Sequence, residues 1–298
     1  MKKDQDGRAQ SLVRPHVYQF QLGNAIVSNL LEGHVTRQDL HPFVATNATA
    51  EEVEALANEH QIPCPGLEHS FTTTVIEIAG KVIAIDPGFG ENSPMPSAGF
   101  FAKSLAASGY RIEDIDIVLI SHSHPDHIGN LMTGGKATFP NAEIVYGRRE
   151  FEYWQRGENI AEFRKPTLAL FNKVALPLAE RIRFIEPGDT VVPGVTALEA
   201  YGHSAGHLAF HLESEGRQLM MLNDTVAHYV ASFARPDWAF SMDDDPAAAA
   251  VSRRRVLTAV SQDSIPVIGF HLPFPSIGFV AANADGFNYR PASYHFNI

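Results

Sequence analysis

The sequence predicts an α+β fold, a sandwich of mixed β-sheets covered by helices and formed as a single domain over residues 1–298. Three observations point there. Apolar runs of strand length recur along the chain, and several are joined by tight turns as hairpins. Helical patterns interrupt them without the strict strand–helix alternation of a doubly wound parallel sheet. No repeat, low-complexity tract or linker-like stretch divides the 298 residues, a length that suits one large domain with a sizeable core.

The elements follow in order. HVYQFQLGNAIVSNLLEG (16–33) reads as a hairpin turning at Gly23-Asn24. TAEEVEALANEH (49–60) opens a helix with a capping box, Thr49 as cap and Glu52 three residues on. Residues 1–70 thus read as an N-terminal extension, hairpin plus helix, ahead of the core. FTTTVIEIAGKVIAIDPG (71–88) reads as two strands joined at Ala79-Gly80. A helix is expected over 95–108 and a buried strand over 115–120. AEIVYG (142–147) is strand-like, and helical patterns follow from 148 and over about 166–180. Short strands run from Arg183 to Leu222, broken by EPGD and VPGV. DPAAAAVSRRRVLTAVSQ (245–262) is a helix with Asp245 as cap and Pro246 in its first turn. Its Arg253-Arg254-Arg255 run reads as a solvated face. PVIGFH (266–271) is a last buried strand, and a hairpin around Ala284-Asp285-Gly286 closes the chain.

Composition narrows the function. The 23 basic against 34 acidic residues leave a net charge of -11, which argues against a nucleic-acid partner, because phosphate binding needs clustered Lys and Arg. No apolar run reaches about 18 residues, so no membrane span is expected. The opening MKKDQDGRAQSLVRP is polar and shows no leader peptide. Cytoplasmic residence is therefore expected, with a periplasmic protein whose leader was removed left open. The lone Cys64 provides neither a disulfide within the chain nor a cysteine-rich zinc site.

The chemistry concentrates in SHSHPDH, where His122, His124, Asp126 and His127 follow the apolar run 115–120. Residues two apart on an extended segment point the same way, so His122 and His124 can share one ion. Pro125 stops the strand and lets Asp126 and His127 turn toward a second. Three histidines and an aspartate packed this closely at a buried strand end would be costly without a ligand to satisfy them. One cluster cannot complete two coordination shells. Further candidates at strand ends are His203 and His207 in GHSAGH, Asp224 after LMMLN, and His271 after VIGF.

These segments together resemble the metallo-β-lactamase superfamily. SHSHPDH is similar to its His-x-His-x-Asp-His signature, GHSAGH to its second motif, and the segments ending in Asp224 and His271 to its bridging aspartate and last histidine. The likeness covers roughly residues 70 to 298. It implies a four-layer αββα sandwich, a first metal held by His122, His124 and His203, a second by Asp126, His127 and His271, and Asp224 bridging. It also implies a structural Asp86 in VIAIDPG and a His207 that supports rather than ligates. His228, four residues past Asp224, is expected to line the pocket beside Tyr229. His16, His34, His41, His60, His69, His211 and His295 have no motif context and read as structural or surface residues.

Seven nitrogen and oxygen ligands suit two divalent ions, zinc first, with Mn, Fe and Co as alternatives. Metal binding brings the pKa of water to about 7, so a bridging hydroxide and metal-assisted hydrolysis are expected. Asp126 is the expected catalytic residue, ligating, orienting the nucleophile and passing a proton to the leaving group. Asp224 is present and Cys64 is remote from every motif, which argues against a β-lactam substrate. The C-terminal run FSMDDDPAAAAVSRRRVL…VIGFHLPFPSIGFV resembles the branch that holds acyl-homoserine-lactone lactonases and methyl-parathion hydrolase. Two positions depart from that branch: Ala227 stands where its best-known lactonases carry tyrosine, and Asn223 where the family has glycine. The expected substrate is a small lactone or related ester, bound in an apolar pocket that draws on Phe89, Phe270 and Phe274. Phosphotriester or aryl ester hydrolysis is the alternative, and a non-catalytic metal-binding domain the remaining one. The branch resemblance also implies a homodimer.

Overall fold

A computed structural model describes residues 14–292 and 297–298. The polar opening residues and His295 lie outside the described residues. The first half of the chain runs β1 (Val17–Leu22), β2 (Ala25–Arg37), α1 (Ala50–Glu59), β3 (Leu67–Ile78), β4 (Lys81–Ile85), α2 (Phe101–Ala107), β5 (Ile117–Ile120) and α3 (Pro125–Ile128). It continues through the two-residue strands β6 (Met132–Thr133) and β7 (Lys136–Ala137), then β8 (Glu143–Gly147), α4 (Arg148–Arg156), α5 (Lys165–Val174) and β9 (Ile182–Ile185). The second half runs β10 (Thr190–Val192), β11 (Val195–Glu199), β12 (Leu208–Ser214), β13 (Arg217–Asn223), α6 (Ala231–Ala234), α7 (Pro246–Gln262), β14 (Val267–Gly269), β15 (Ile277–Ala282) and β16 (Phe287–Pro291).

Two seven-stranded sheets result, one ordered β1-β2-β3-β4-β5-β8-β9 and the other β10 through β16 in sequence. Both are mixed. In the first, β4, β5, β8 and β9 run parallel to one another; in the second, β13 and β14 do. The sheets pack face to face through Val27, Ile76, Ile83, Ile85 and Leu119 on one side and Ala197, Phe210, Leu212, Met221 and Ile268 on the other. On the outer face of the first sheet, α2, α4 and α5 bury Phe101, Leu105, Phe151, Trp154 and Phe171. On the outer face of the second, α7 buries Val256, Leu257 and Val260. The four-layer αββα sandwich is therefore the architecture. β5, IVLI, is buried at every position, as a parallel strand covered on both faces should be.

The capping box of α1 forms as expected, Thr49 accepting from Glu52 N and Glu52 reaching back to Thr49 N. Three expectations change. The helix expected over 95–108 starts only at Phe101, because Pro96 interrupts the segment and Gly99 takes a left-handed φ of 95°. α5 ends at Val174 and passes into a tighter turn over Leu176–Arg181, since Pro177 lacks the N–H needed to continue. The solvated Arg253 is the largest correction: its side chain is buried. Ala249, Ser252, Arg253, Val256, Leu257 and Val260 share the inward face of α7 at helical spacing, so only Arg254 and Arg255 reach solvent, pairing with Asp237 and Glu199. Among the described residues no helix is long and apolar enough to cross a membrane.

Glu32 on β2 shapes the floor beneath the loop that follows β4. It is fully buried, and its Oε1 accepts from Phe89 N at 3.1 Å. Gly88, at φ 87°, lies so close that an added Cβ would sit 2.4 Å from Glu32 Cγ. Burial raises the Glu32 carboxyl to about 8, against the opposing Phe89 N–H, so it holds a proton that an unfolded chain, with a glutamate pKa of about 4.3, releases. The stabilisation is complete below the unfolded value and declines as pH rises toward the folded one. Glu32→Gln does not titrate. In urea unfolding of chelator-treated protein, its stability relative to the parent should therefore rise by a few kcal/mol between about pH 5 and about pH 8. A difference that stays constant across that range would show Glu32 ionised in the folded state.

Candidate metal centre

Strand direction gathers the site. β4 and β5 are parallel, as are β13 and β14, so their C-terminal ends open at one edge of the sandwich. His122 and His124 follow β5, and Asp126 and His127 lie on α3, started by Pro125. His203 lies between β11 and β12, Asp224 follows β13, and His271 lies just past β14, which stops at Gly269 rather than continuing to His271 as the sequence suggested. Asn223, before Asp224, has φ 46°. This left-handed geometry is tolerated by asparagine, and the Asn223 amide locks it by donating to Leu208 O at 3.0 Å.

Two ligand groups share Asp224, beside a third close set of Asp86, His122 and His127. His122, His124, His203 and Asp224 bring one atom each within 4.8 Å of one another, and so do Asp126, His127, Asp224 and His271. Asp224 belongs to both. Its Oδ2 lies 3.0 Å from His271 Nε2, 3.2 Å from His203 Nε2 and 3.9 Å from His122 Nε2, and its Oδ1 lies 3.4 Å from His127 Nε2. Asp126 Oδ2 lies 3.4 Å from His271 Nε2 and 3.6 Å from His127 Nε2. The Nε2 atoms of His122, His124, His127 and His203, and Asp224 Oδ1, are buried without a hydrogen-bond partner. Such atoms are rare in folded proteins and call for an occupant. Ligands about 2.0–2.2 Å from a tetrahedral zinc lie roughly 3.4 Å from one another, which matches these separations. The donor set fits two divalent ions.

Hydrogen bonds at the other ring nitrogens aim the lone pairs. Ser121 donates its N–H and hydroxyl to Asp86, at 2.8 and 2.6 Å. Its oxygen is thereby left to accept from His122 Nδ1 at 2.9 Å, which frees His122 Nε2. Asp86 also takes His127 Nδ1 at 2.9 Å. Asp243 takes His203 Nδ1 at 2.9 Å, and Ser70 O takes His271 Nδ1 at 3.1 Å. His207 accepts from Asp224 N at 3.3 Å, so its Nδ1 carries the proton and donates to Ala200 O at 2.9 Å. His207 therefore holds the backbone of Asp224.

Charge follows position. Burial pushes His122 and His124 well below the usual histidine range, helped by neighbouring imidazoles at His122 and by the Arg164 guanidinium at His124, which keeps their lone pairs free. Burial also lowers His203, but the adjacent carboxylates of Asp224 and Asp243 outweigh it and raise the group to about 9. Burial works against ionising Asp224, yet His271 and His127 hold it well below the carboxylate range.

The centre floors a cavity of about 440 Å³ whose wall includes Arg37, Phe43, His69, Phe71, Phe89, Arg164, Phe240 and Met242. Of the expected pocket residues, Phe89 stands in this wall and the others do not. Phe270 lies beneath it, its ring 4.0 Å from that of His127. Phe274 lines a separate cavity of about 550 Å³ with Arg14, Val17 and Pro273. His228 is buried and turned to the backbone, its Nδ1 accepting from Val230 and Ala231 N–H groups at the start of α6, with Tyr229 stacked on it. His69, set aside for want of a motif, stacks on His271 at 4.3 Å.

Sequence reasoning missed the supports. Glu150, on α4, is fully buried and accepts from Ser123 N, Gly206 N, Ser204 Oγ and Trp154 Nε1 at 2.5–2.9 Å. It ties the loop of His122 to that of His203. A Cβ on Gly206 would lie 2.3 Å from Glu150 N, so only glycine permits this approach. Arg253 donates to Asp243 Oδ2 at 3.0 Å and to Thr225 O at 2.8 Å, holding the partner of His203 and the residue after Asp224 together. The apolar spacing of Phe151 and Trp154 was the available signal that Glu150 faces inward.

The sequence profile of the metallo-beta-lactamase superfamily matches residues 72–264. An N-acyl homoserine lactonase of Bacillus cereus is 32% identical over 130 residues, 43% of this chain and 45% of that protein. The N-acyl homoserine lactonase AiiA of Bacillus thuringiensis subsp. kurstaki is 29% identical over 167 residues, 56% of this chain and 59% of that one. The chain thus spans about half the length of the curated relatives it matches. Among solved structures, AidC, described as a dizinc quorum-quenching lactonase in complex with an N-acyl homoserine product, superposes with a TM-score of 0.87 at 26% identity, covering 94% of this chain and 98% of that one. The hydrolase AbOPH superposes with a TM-score of 0.88 at 23% identity, over 95% and 99% of the two chains.

Elemental analysis of the purified protein should find about two divalent ions per chain, and His203→Ala should retain about one. Ser121→Ala, which strands the His122 Nδ1–H, should release an ion to a competing chelator about tenfold more readily. Unaltered release would remove Ser121 from the aiming of His122.

Proposed function

This chain belongs to the metallo-beta-lactamase superfamily, and from that premise we propose that it is a two-metal hydrolase that opens lactones, N-acyl homoserine lactones first among them, or cleaves related esters. The observation that carries the reading is the pair of ligand groups sharing Asp224 on the floor of a cavity with a largely aromatic wall. The lactonase relatives and the dizinc neighbour support it.

In this reading His122, His124 and His203 would hold one ion, Asp126, His127 and His271 the other, and Asp224 would serve both. Two divalent ions held there would supply polarisation of a carbonyl and a water acidic enough to act as nucleophile near neutral pH. The residues of the chain do the rest. Asp126 is the ligand carboxylate most open to the cavity, its side chain 15% exposed against 2% for Asp224. It orients the attacking water, takes its proton, and returns that proton to the departing alkoxide, which leaves as an alcohol. Phe43, Phe71, Phe89 and Phe240 exclude water and accept an apolar chain. Zinc is the proposed metal, since five imidazoles and two carboxylates form its customary donor set. No cysteine enters either ligand group, and Cys64 is exposed.

The test is a comparison of kcat/KM on an N-acyl homoserine lactone, a simple γ-lactone, an aryl ester and paraoxon. The lactones should lead, and a paraoxon value well above both would make phosphotriester hydrolysis the primary activity. Asp126→Asn should lower kcat on the best substrate by about 100-fold or more, with its melting temperature shifted by only a few degrees. Full activity in that variant would remove Asp126 from proton transfer.

A further inference from the structure

Building on the hydrolase reading, we propose that Arg37 and His69 form a subsite for a carbonyl acceptor of the substrate outside the scissile ester, the amide carbonyl of an N-acyl lactone. The subsite is built by strand register. Val35 on β2 pairs with His69 on β3, and Arg37 pairs with Leu67. Alternate residues share a face, and Val35, Arg37, His69 and Phe71 all line the cavity that Asp126 and His271 floor.

Neither polar group is satisfied by the protein. The Arg37 guanidinium carbon sits 3.6 Å from the ring centroid of Phe43. Its Nε is buried without a partner, and no carboxylate pairs with it among the described residues. The other arginine of the wall, Arg164, is spoken for by Asp244 Oδ1 at 2.7 Å and by Met242 O. His69 is 5% exposed. Its ring stacks on His271 at 4.3 Å and meets Phe43 and Phe71 edge to face, at 5.1 and 5.8 Å. Those contacts fix the plane of the ring, and no side-chain hydrogen bond engages it among the described residues.

A planar guanidinium held against an aromatic ring is a donor fork fixed in advance, and it suits a carbonyl oxygen. An unpaired N–H in such a wall is tolerated where the ligand completes it. The position favours an acceptor close to the reacting group, because only the thickness of the stacked His271 ring separates His69 from the middle of the centre. An amide on the carbon beside the scissile carbonyl lies at that remove. A plain alkyl lactone offers nothing there.

The experiment uses the metal-loaded protein and two substrates of similar chain length, N-hexanoyl homoserine lactone and γ-decalactone. In Arg37→Met the ratio of kcat/KM for the amide-bearing lactone over the alkyl lactone should fall about 10- to 100-fold, the range for a hydrogen bond to a charged donor. The loss should come chiefly through KM. Arg37→Lys, which keeps the charge and loses the fork, should fall between, and Arg37→Gln serves if the methionine variant does not fold. An unchanged ratio overturns the subsite while leaving the hydrolase reading in place. Turnover of neither lactone by the parent protein overturns both.

Discussion

Everything at this edge of the sandwich answers to one buried carboxylate. Asp224 is 2% exposed and has imidazoles on every open side. A buried charge is tolerable only when paired or bound to metal, and this one faces several ring nitrogens that are themselves without partners. Protons alone cannot settle the group, since a proton satisfies one nitrogen and leaves its neighbours stranded. Divalent charge placed among the lone pairs satisfies all of them at once. The left-handed Asn223, the His207 contact to Asp224 N and the grip of Arg253 on Thr225 O all serve to hold that carboxylate in place.

Around it the fold spends its buried charges as braces. Asp86 joins the end of β4 to both His122, through Ser121, and His127. Glu150 joins the first-sheet loop to the His203 loop. Asp243 and Arg253 join His203 to α7. Each carboxylate is fully engaged by donors, the condition under which a buried polar network rigidifies a site rather than weakening it. Removing a single member would leave the others uncompensated, so these positions carry aiming and stability together.

The parts of this arrangement legible in the sequence were those with local signatures. The hairpin at Gly23-Asn24, the capping box at Thr49 and Glu52, and Asp245 before α7 are set by neighbours in the chain. SHSHPDH announced a metal centre because four of its seven consecutive residues are candidate ligands. The braces were illegible for the opposite reason. Glu150 sits in a helix rich in charge with no motif to mark it, and Arg253, one of three consecutive arginines, read as solvated surface. Only helix rotation, fixed by packing, turns one of those arginines inward. The pocket residues failed similarly: Phe270 and Phe274 flank His271 in sequence, yet the turn after β14 sends one beneath the centre and the other to a different cavity. His69 and Arg37 enter the wall through pairing between β2 and β3, a relation no short motif encodes.

The division of ligands between the two halves of the chain has a consequence for assembly. His122, His124, Asp126 and His127 come from the first sheet, and His203, Asp224 and His271 from the second. Neither ligand group is complete within one half, because both require Asp224. The chain as far as β9 supplies only four of the seven candidate ligands. Full coordination needs both halves, and ions bound there would join them alongside the Glu150 brace and the apolar interface. Ions bound there would therefore tie the two sheets together at the edge on which the cavity opens.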